Sequence, residues 1–116
     1  FCTSMGRVLL AALPEPEARA RLALRPLVAR TPHTVTDPEA IMARLAKVRA
    51  QGFEMIDQEV ELGLRSIAVP LFNAHGRTVA ALNLGLPVRG DDPQALVAQY
   101  LPRLTALQAE LRRMLG

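Results

Sequence analysis

The spacing of apolar residues changes at Gly52, and that change restricts the possible folds more than any single motif does. Before it, Ile41, Leu45 and Val48 recur at three- and four-residue intervals, which places them along one face of an α-helix. Asp37, Pro38 and Glu39 give this helix a start: a capping carboxylate, a first-turn proline and an acid at the positive end of the helix dipole. Gly52 can take the left-handed conformation that closes it. From Phe53 onward the period is two, and Phe53, Met55 and Asp57 share one face of an extended segment. Two strands are expected at residues 66–72 and 78–86, joined by Asn73, Ala74, His75 and Gly76 in a tight hairpin. Pairing Phe72 with Arg77 sets Ser66 opposite Asn83, Ala68 opposite Ala81 and Leu64 opposite Gly85. One face then carries Ile67, Val69, Leu71, Leu82, Leu84 and Leu86, enough bulk for a core. The other carries Leu64, Ser66, Ala68, Ala81, Asn83 and Gly85, a small-residue surface with a polar notch.

The flanks of this hairpin read as helices. Thr3 or Ser4 can cap a short helix over residues 6–13, Pro14 and Pro16 break its register, and a second short helix is expected over 16–24. Residues 25–35 carry Pro26 and Pro32 and read as a loop. Asp92 and Pro93 open a last helix whose Val97, Leu101, Leu104, Leu107, Leu111 and Met114 form an apolar stripe, with Pro102 expected to kink or divide it. Helices, then an antiparallel hairpin, then a closing helix amount to an α+β domain.

At 116 residues the chain is one domain at most. It starts with Phe1 and shows neither a signal peptide nor a transmembrane helix, so it reads as an excised piece of a longer cytoplasmic protein. A single cysteine, Cys2, cannot close an internal disulfide, and two distant histidines give no zinc-ligand spacing. The net charge is +3, and all but Lys47 of the 14 basic residues are Arg. These are scattered, with few aromatics among them, which describes a solvated surface better than a nucleic-acid face.

The small-residue face admits two readings. It can accept a closely packed helix, or it can floor a ligand cavity in which Ser66 and Asn83 orient the ligand. Backbone N–H groups of Ser4, Met5 and Gly6 at a helix start would favour a carboxylate. Arg7 lies on the helix itself, where a surface position is as open as any other, and it is not assigned to the ligand. The row Asp57, Glu59, Glu61 reads as a solvated face because carboxylates on one strand edge do not oppose each other across a substrate. Arg65 is expected to pair with Glu59 or Glu61. His33 and His75 lie in loops without a nucleophile beside them, and nothing marks Cys2 as a reactive thiolate. No enzyme constellation emerges.

Three segments in order carry a family resemblance: Cys-Thr-Ser-Met-Gly-Arg at residues 2–7, Thr-Pro-His-Thr-Val-Thr-Asp at 31–37, and the acidic stretch through Gly-Leu-Arg-Ser to Pro at 57–70. Together they resemble the effector-sensing half of the IclR family of bacterial transcriptional regulators, most closely the subgroup that controls aromatic-acid degradation through the β-ketoadipate pathway. The resemblance implies a GAF-like, mainly antiparallel sheet flanked by helices, present here as a partial domain that lacks its first strands. It implies a ligand-sensing role with no cofactor and no metal. The effector would be a small organic acid, aromatic or dicarboxylic, touched by Ser4, Met5, Leu64, Ser66, Asn83 and Gly85. An acid is implied at Asp57 as well, with Ile56 as the neighbouring alternative. It also implies a homo-oligomer, dimer or tetramer, that meets DNA only through a winged helix-turn-helix domain absent from these residues. The alternative is an oligomerisation module without a physiological ligand, suggested by the last helix's stripe.

Overall fold

The computed structural model describes residues 1–115. Its elements are α1 (Ser4–Ala11), α2 (Glu15–Leu22), α3 (Pro38–Gln51), β1 (Glu54–Asp57), β2 (Leu64–Phe72), β3 (Thr78–Pro87) and α4 (Pro93–Arg112). The strands form one antiparallel sheet in the order β1-β2-β3. Helix α1 lies across one face of it, with α3 and α2 packed behind, and α4 runs along β2 on the other face. The α+β class read from the period change is the observed one.

Each helix start has a local cause. Asp37 caps α3 through Ala40 N–H, and Gly52 closes it at φ 84°. Asp92 caps α4 through Gln94 N–H at 3.1 Å. Helix α4 runs undivided through Pro102, contrary to a break there. Pro102 and Ala98, whose carbonyl loses its partner, both face solvent, so water can take the place of the missing donor.

The hairpin register differs from the expected one by two residues. The loop closes between Asn73 and Arg77, with Asn73 N–H on the Arg77 carbonyl at 2.9 Å and the Asn73 carboxamide accepting from His75 and Arg77. Phe72 therefore pairs with Thr78, and an irregularity next to it leaves Val79 unpaired, so that Leu71 pairs with Ala80. Each step moves the register by one in the same direction. Because side chains alternate with period two, the sum restores the faces. Ser66 now lies opposite Gly85, Ala68 opposite Asn83 and Leu64 opposite Pro87.

The two cores sit on either side of the sheet. Val8, Ala11, Ala18, Leu22, Ile41, Met42, Leu45 and Val48 close over Ala68 on the α1 side. Ile67, Val69 and Leu86 meet Leu96 and Leu104 on the α4 side. The α4 stripe read from sequence is thus split: Leu104 is buried, whereas Leu107 is 46% and Met114 is 78% exposed.

Candidate functional site

Thr3 is extended and caps α1, its hydroxyl accepting from Gly6 N–H at 2.9 Å. A side-chain carbon at Gly6 would come within 2.6 Å of that hydroxyl, so the cap needs glycine there. Arg7 N–H donates to the Thr3 carbonyl. The Gly6 N–H is therefore already used, and of the three first-turn donors expected for a ligand, those of Ser4 and Met5 take no protein acceptor among the described residues.

Ser4 is 1% exposed and lies on Ser66, whose hydroxyl donates to the Ser4 hydroxyl at 2.8 Å. Across the sheet, Ser66 is flanked by Ile56 on β1 and Gly85 on β3. A carbon added at Gly85 would meet only the Leu64 side chain, at 3.8 Å, so the floor beside Ser66 is open. Ser4, Leu64, Ser66 and Gly85 are brought together. Met5 lies on the solvent side of the same turn, 40% exposed, and Asn83 is exposed on the same strand face two residues before Gly85.

Asp57 is not brought to this group. Ile56 pairs with Ser66, so the strand alternation turns Asp57 to the α4 face, opposite Arg65. There Arg65 Nε meets Asp57 Oδ1 at 2.9 Å and holds the Asp57 carboxyl below its usual range, with Gln58 adding a weaker hydrogen bond. The position beside Ser66 belongs to Ile56, which is 2% exposed. The wall it supplies is apolar and uncharged.

Behind Ser4 lies a buried ion-pair network that the sequence did not suggest. Arg7 is 1% exposed and donates to both Glu59 oxygens, at 2.8 and 2.6 Å, to Glu54 at 3.4 Å and to the Phe1 carbonyl at 2.9 Å. Arg44 grips Glu54 from α3, and that hydrogen-bonded contact raises the Arg44 pKa further. Glu59 also accepts from Val35 N–H at 2.9 Å, and the Thr31 and Thr34 hydroxyls donate to the Gln58 and Glu59 carbonyls. Two expectations are corrected here, and the position of Arg7, left open by the sequence, is decided. Arg7 is interior, Glu59 is buried and not solvated, and Arg65 pairs with Asp57 because Glu59 is taken. The signal lay in helix spacing: Ser4, Arg7, Val8 and Ala11 form one stripe, so an arginine facing inward required a carboxylate.

This network also fixes the electrostatics of the site. Two guanidiniums and two carboxylates balance, and both cations are spent on protein partners. An anion beside Ser66 would have to use hydroxyls and the α1 N–H groups. His33 and His75 are exposed, Cys2 is a buried free thiol, and no group of metal-ligating side chains occurs among the described residues. A broad concavity opens elsewhere, on the flank of α1 that carries Gly6, Leu9 and Leu13, toward Arg21, Arg25 and Arg30. It is an open groove, and among the described residues no buried side-chain polar atom is left without a partner to serve it. The hydroxyl pair at Ser66 is the better candidate, because its polar atoms converge on an apolar floor. No helix of the described residues is long and apolar enough to cross a membrane.

Comparison with known proteins places the chain in a family and supports the fold. The family model described as bacterial transcriptional regulator IclR C-terminal matches residues 1–107. The Pca regulon regulatory protein of Pseudomonas putida is 46% identical over 111 residues, covering 96% of this chain and 38% of that protein. The p-hydroxybenzoate hydroxylase transcriptional activator of Acinetobacter baylyi is 38% identical over 112 residues, covering 97% and 41%. The chain thus spans about two fifths of the length of these curated relatives. Among solved structures, the inducer-binding domain of a double mutant of the PobR transcription factor from Acinetobacter, in complex with 3-hydroxybenzoic acid, superposes with a TM-score of 0.91. It shares 38% identity, over 96% of this chain and 63% of that one. The C-terminal domain of the E. coli regulator KdgR superposes with the same score of 0.91 at 30% identity, over 100% and 70%. These relatives are transcriptional regulators and not enzymes. The chain belongs to the IclR family of bacterial transcriptional regulators and corresponds to its C-terminal domain.

Proposed function

We propose that this domain senses a small aromatic acid, held between the α1 N-terminus and the Ser66–Gly85 floor, and that occupancy alters DNA binding by a winged-helix domain of the whole protein. The observation that carries the reading is the Ser4–Ser66 hydroxyl pair, 2.8 Å apart, beside an open glycine and an apolar Ile56. Hydroxyls and the Ser4 and Met5 N–H groups suit a carboxylate, and Ile56 and Leu64 suit a ring. An aliphatic dicarboxylate fits less well, because the guanidiniums nearest α1's buried face, Arg7 and Arg44, are already paired with Glu54 and Glu59 and leave its second charge uncompensated. Met5 and Asn83 border the site and would contact a ligand that extends outward. The relative crystallised with 3-hydroxybenzoic acid supports the same class. Such a ligand acts on DNA binding only through different affinities for two conformations. Homo-oligomerisation through the exposed Leu107 and Met114 side of α4 belongs to the same proposal.

Calorimetry with 3-hydroxybenzoate and an aliphatic dicarboxylate tests the site. Ser66→Leu should abolish binding of the aromatic acid while circular dichroism stays native. Undiminished affinity in that variant would move the site off this face.

A further inference from the structure

We infer that Arg7 is a positioning residue for the ligand site, and that its pair with Glu59 ties occupancy of the α1 N-terminus to the 31–35 loop. The inference rests on the ligand reading above and adds a route by which occupancy leaves the site.

Arg7 follows Ser4 by one helical turn on the buried face of α1. Its guanidinium does more than neutralise a carboxylate. It holds the Phe1 carbonyl ahead of the helix, Glu54 on β1, and Glu59 in the connection between β1 and β2. A side chain needed only to fill space at 1% exposure could be apolar, and replacing a buried ion pair with hydrocarbon of similar volume is often neutral or stabilising. What hydrocarbon cannot supply is direction. A planar fork of donors fixes the helix in both rotation and translation relative to its partners.

Glu59 carries that constraint onward. Its Oε1 accepts both Arg7 Nη2 at 2.6 Å and Val35 N–H at 2.9 Å, while Thr31 and Thr34 anchor the same loop to the backbone of Gln58 and Glu59. Directional contacts therefore run from Ser66 to Ser4 and, one turn of α1 further on, from Arg7 to Glu59 and Val35, with the helix itself as the link between them. Displacing the first turn of α1 by the width of one hydrogen bond breaks the Arg7–Glu59 fork and loosens Val35 with it. A carboxylate on the Ser4 and Met5 N–H groups pulls on the same turn.

The experiment compares wild type, Arg7→Lys and the double variant Arg7→Met/Glu59→Gln, using 3-hydroxybenzoate titration and amide hydrogen exchange. In wild type the acid should slow exchange at Val35. In the double variant, folded by circular dichroism, affinity should fall about tenfold, a size that residues remote from a ligand can produce. Val35 should then stop responding to the acid, and Arg7→Lys should recover part of both effects. A folded double variant that binds like wild type, or keeps the Val35 response, overturns the inference. If wild type does not bind the acid, the ligand reading fails by itself, and exchange without ligand decides the positioning role. Faster exchange at both Gly6 and Val35 in the double variant supports the link, and faster exchange at Val35 alone refutes it. If the double variant does not fold, Glu59→Gln answers the same question, since it removes the charge and keeps an acceptor for Val35.

Discussion

On the α4 face of the sheet, Ile67, Val69 and Leu86 meet Leu96 and Leu104 as hydrocarbon against hydrocarbon, whereas on the α1 face the same sheet carries, beside the apolar cluster over Ala68, a polar end at Ser4, Arg7 and the carboxylates of Glu54 and Glu59. Hydrophobic burial is non-directional and tolerates small shifts, so the apolar contacts of Leu96 and Leu104 with the sheet contribute stability without fixing a geometry. Hydrogen-bonded charges do the reverse. They cost desolvation and hold particular atoms in particular places. The candidate ligand site lies on the face where geometry is fixed, and the surface proposed for assembly lies on the outer side of the helix that covers the other face.

Two neighbouring residues test this division most severely. Ile67 is fully buried on the α4 face, and Ser66 precedes it on the α1 face. Ile67→Ala should cost about 2–5 kcal/mol in urea unfolding, from lost transfer energy and a residual cavity. The molecules that remain folded should bind 3-hydroxybenzoate unchanged. Ser66→Leu should give the opposite pattern, lost affinity with little change in the unfolding midpoint. If Ile67→Ala weakened binding as much as Ser66→Leu, the faces would not be separable and the division would fail.

The outer side of α4 gives the next largest effect. Gln108 donates to the Pro70 carbonyl and Arg112 lies 5.9 Å from the centre of the Phe72 ring, which keeps this end of the helix on the sheet. Leu107 and Met114 face away from it. Leu107→Glu with Leu111→Glu should therefore lower the oligomeric state, because an apolar seam between subunits does not desolvate carboxylates cheaply. Sedimentation should show a smaller species with native circular dichroism. An unfolded chain instead would mean that the stripe serves only its own sheet.

What the sequence disclosed, and what it hid, follows the same two kinds of interaction. Helix starts at Asp37 and Asp92, the stop at Gly52 and the hairpin at Asn73 to Gly76 are local signals, and each acts within a few residues. Period two identified the faces correctly even though the register moved, because the loop closure and the Val79 irregularity add to an even number. Long-range pairing was less legible. Nothing near Arg7 in sequence announces Glu54 or Glu59, 47 and 52 residues away, and a row of alternating acids looks the same whether solvated or buried. Of the candidate site, Ser4, Leu64, Ser66 and Gly85 lie together, as one strand face and one helix start suggest. Asp57 does not lie with them, since one residue along a strand is the difference between the two faces.

That one-residue difference can be read as a pH dependence. Arg65 holds the Asp57 carboxyl below its ordinary 3.8, so the unfolded chain takes up a proton first as the pH falls. The stability from the pair is complete above about pH 4 and is lost below it, as the pH drops through the depressed folded value. The side chain of Asp57 is 43% exposed, so the contribution belongs with screened surface pairs, about 0.5 kcal/mol or less. Asp57→Asn should lower stability by that amount at neutral pH, and the gap to wild type should close in acid and narrow in high salt. Because Asp57 faces α4, the same variant should bind 3-hydroxybenzoate as wild type does, while Ile56→Asp, which sets a carboxylate beside Ser66, should repel it. A loss of affinity in Asp57→Asn equal to that in Ser66→Leu would place Asp57 at the ligand and reverse the assignment of the two faces.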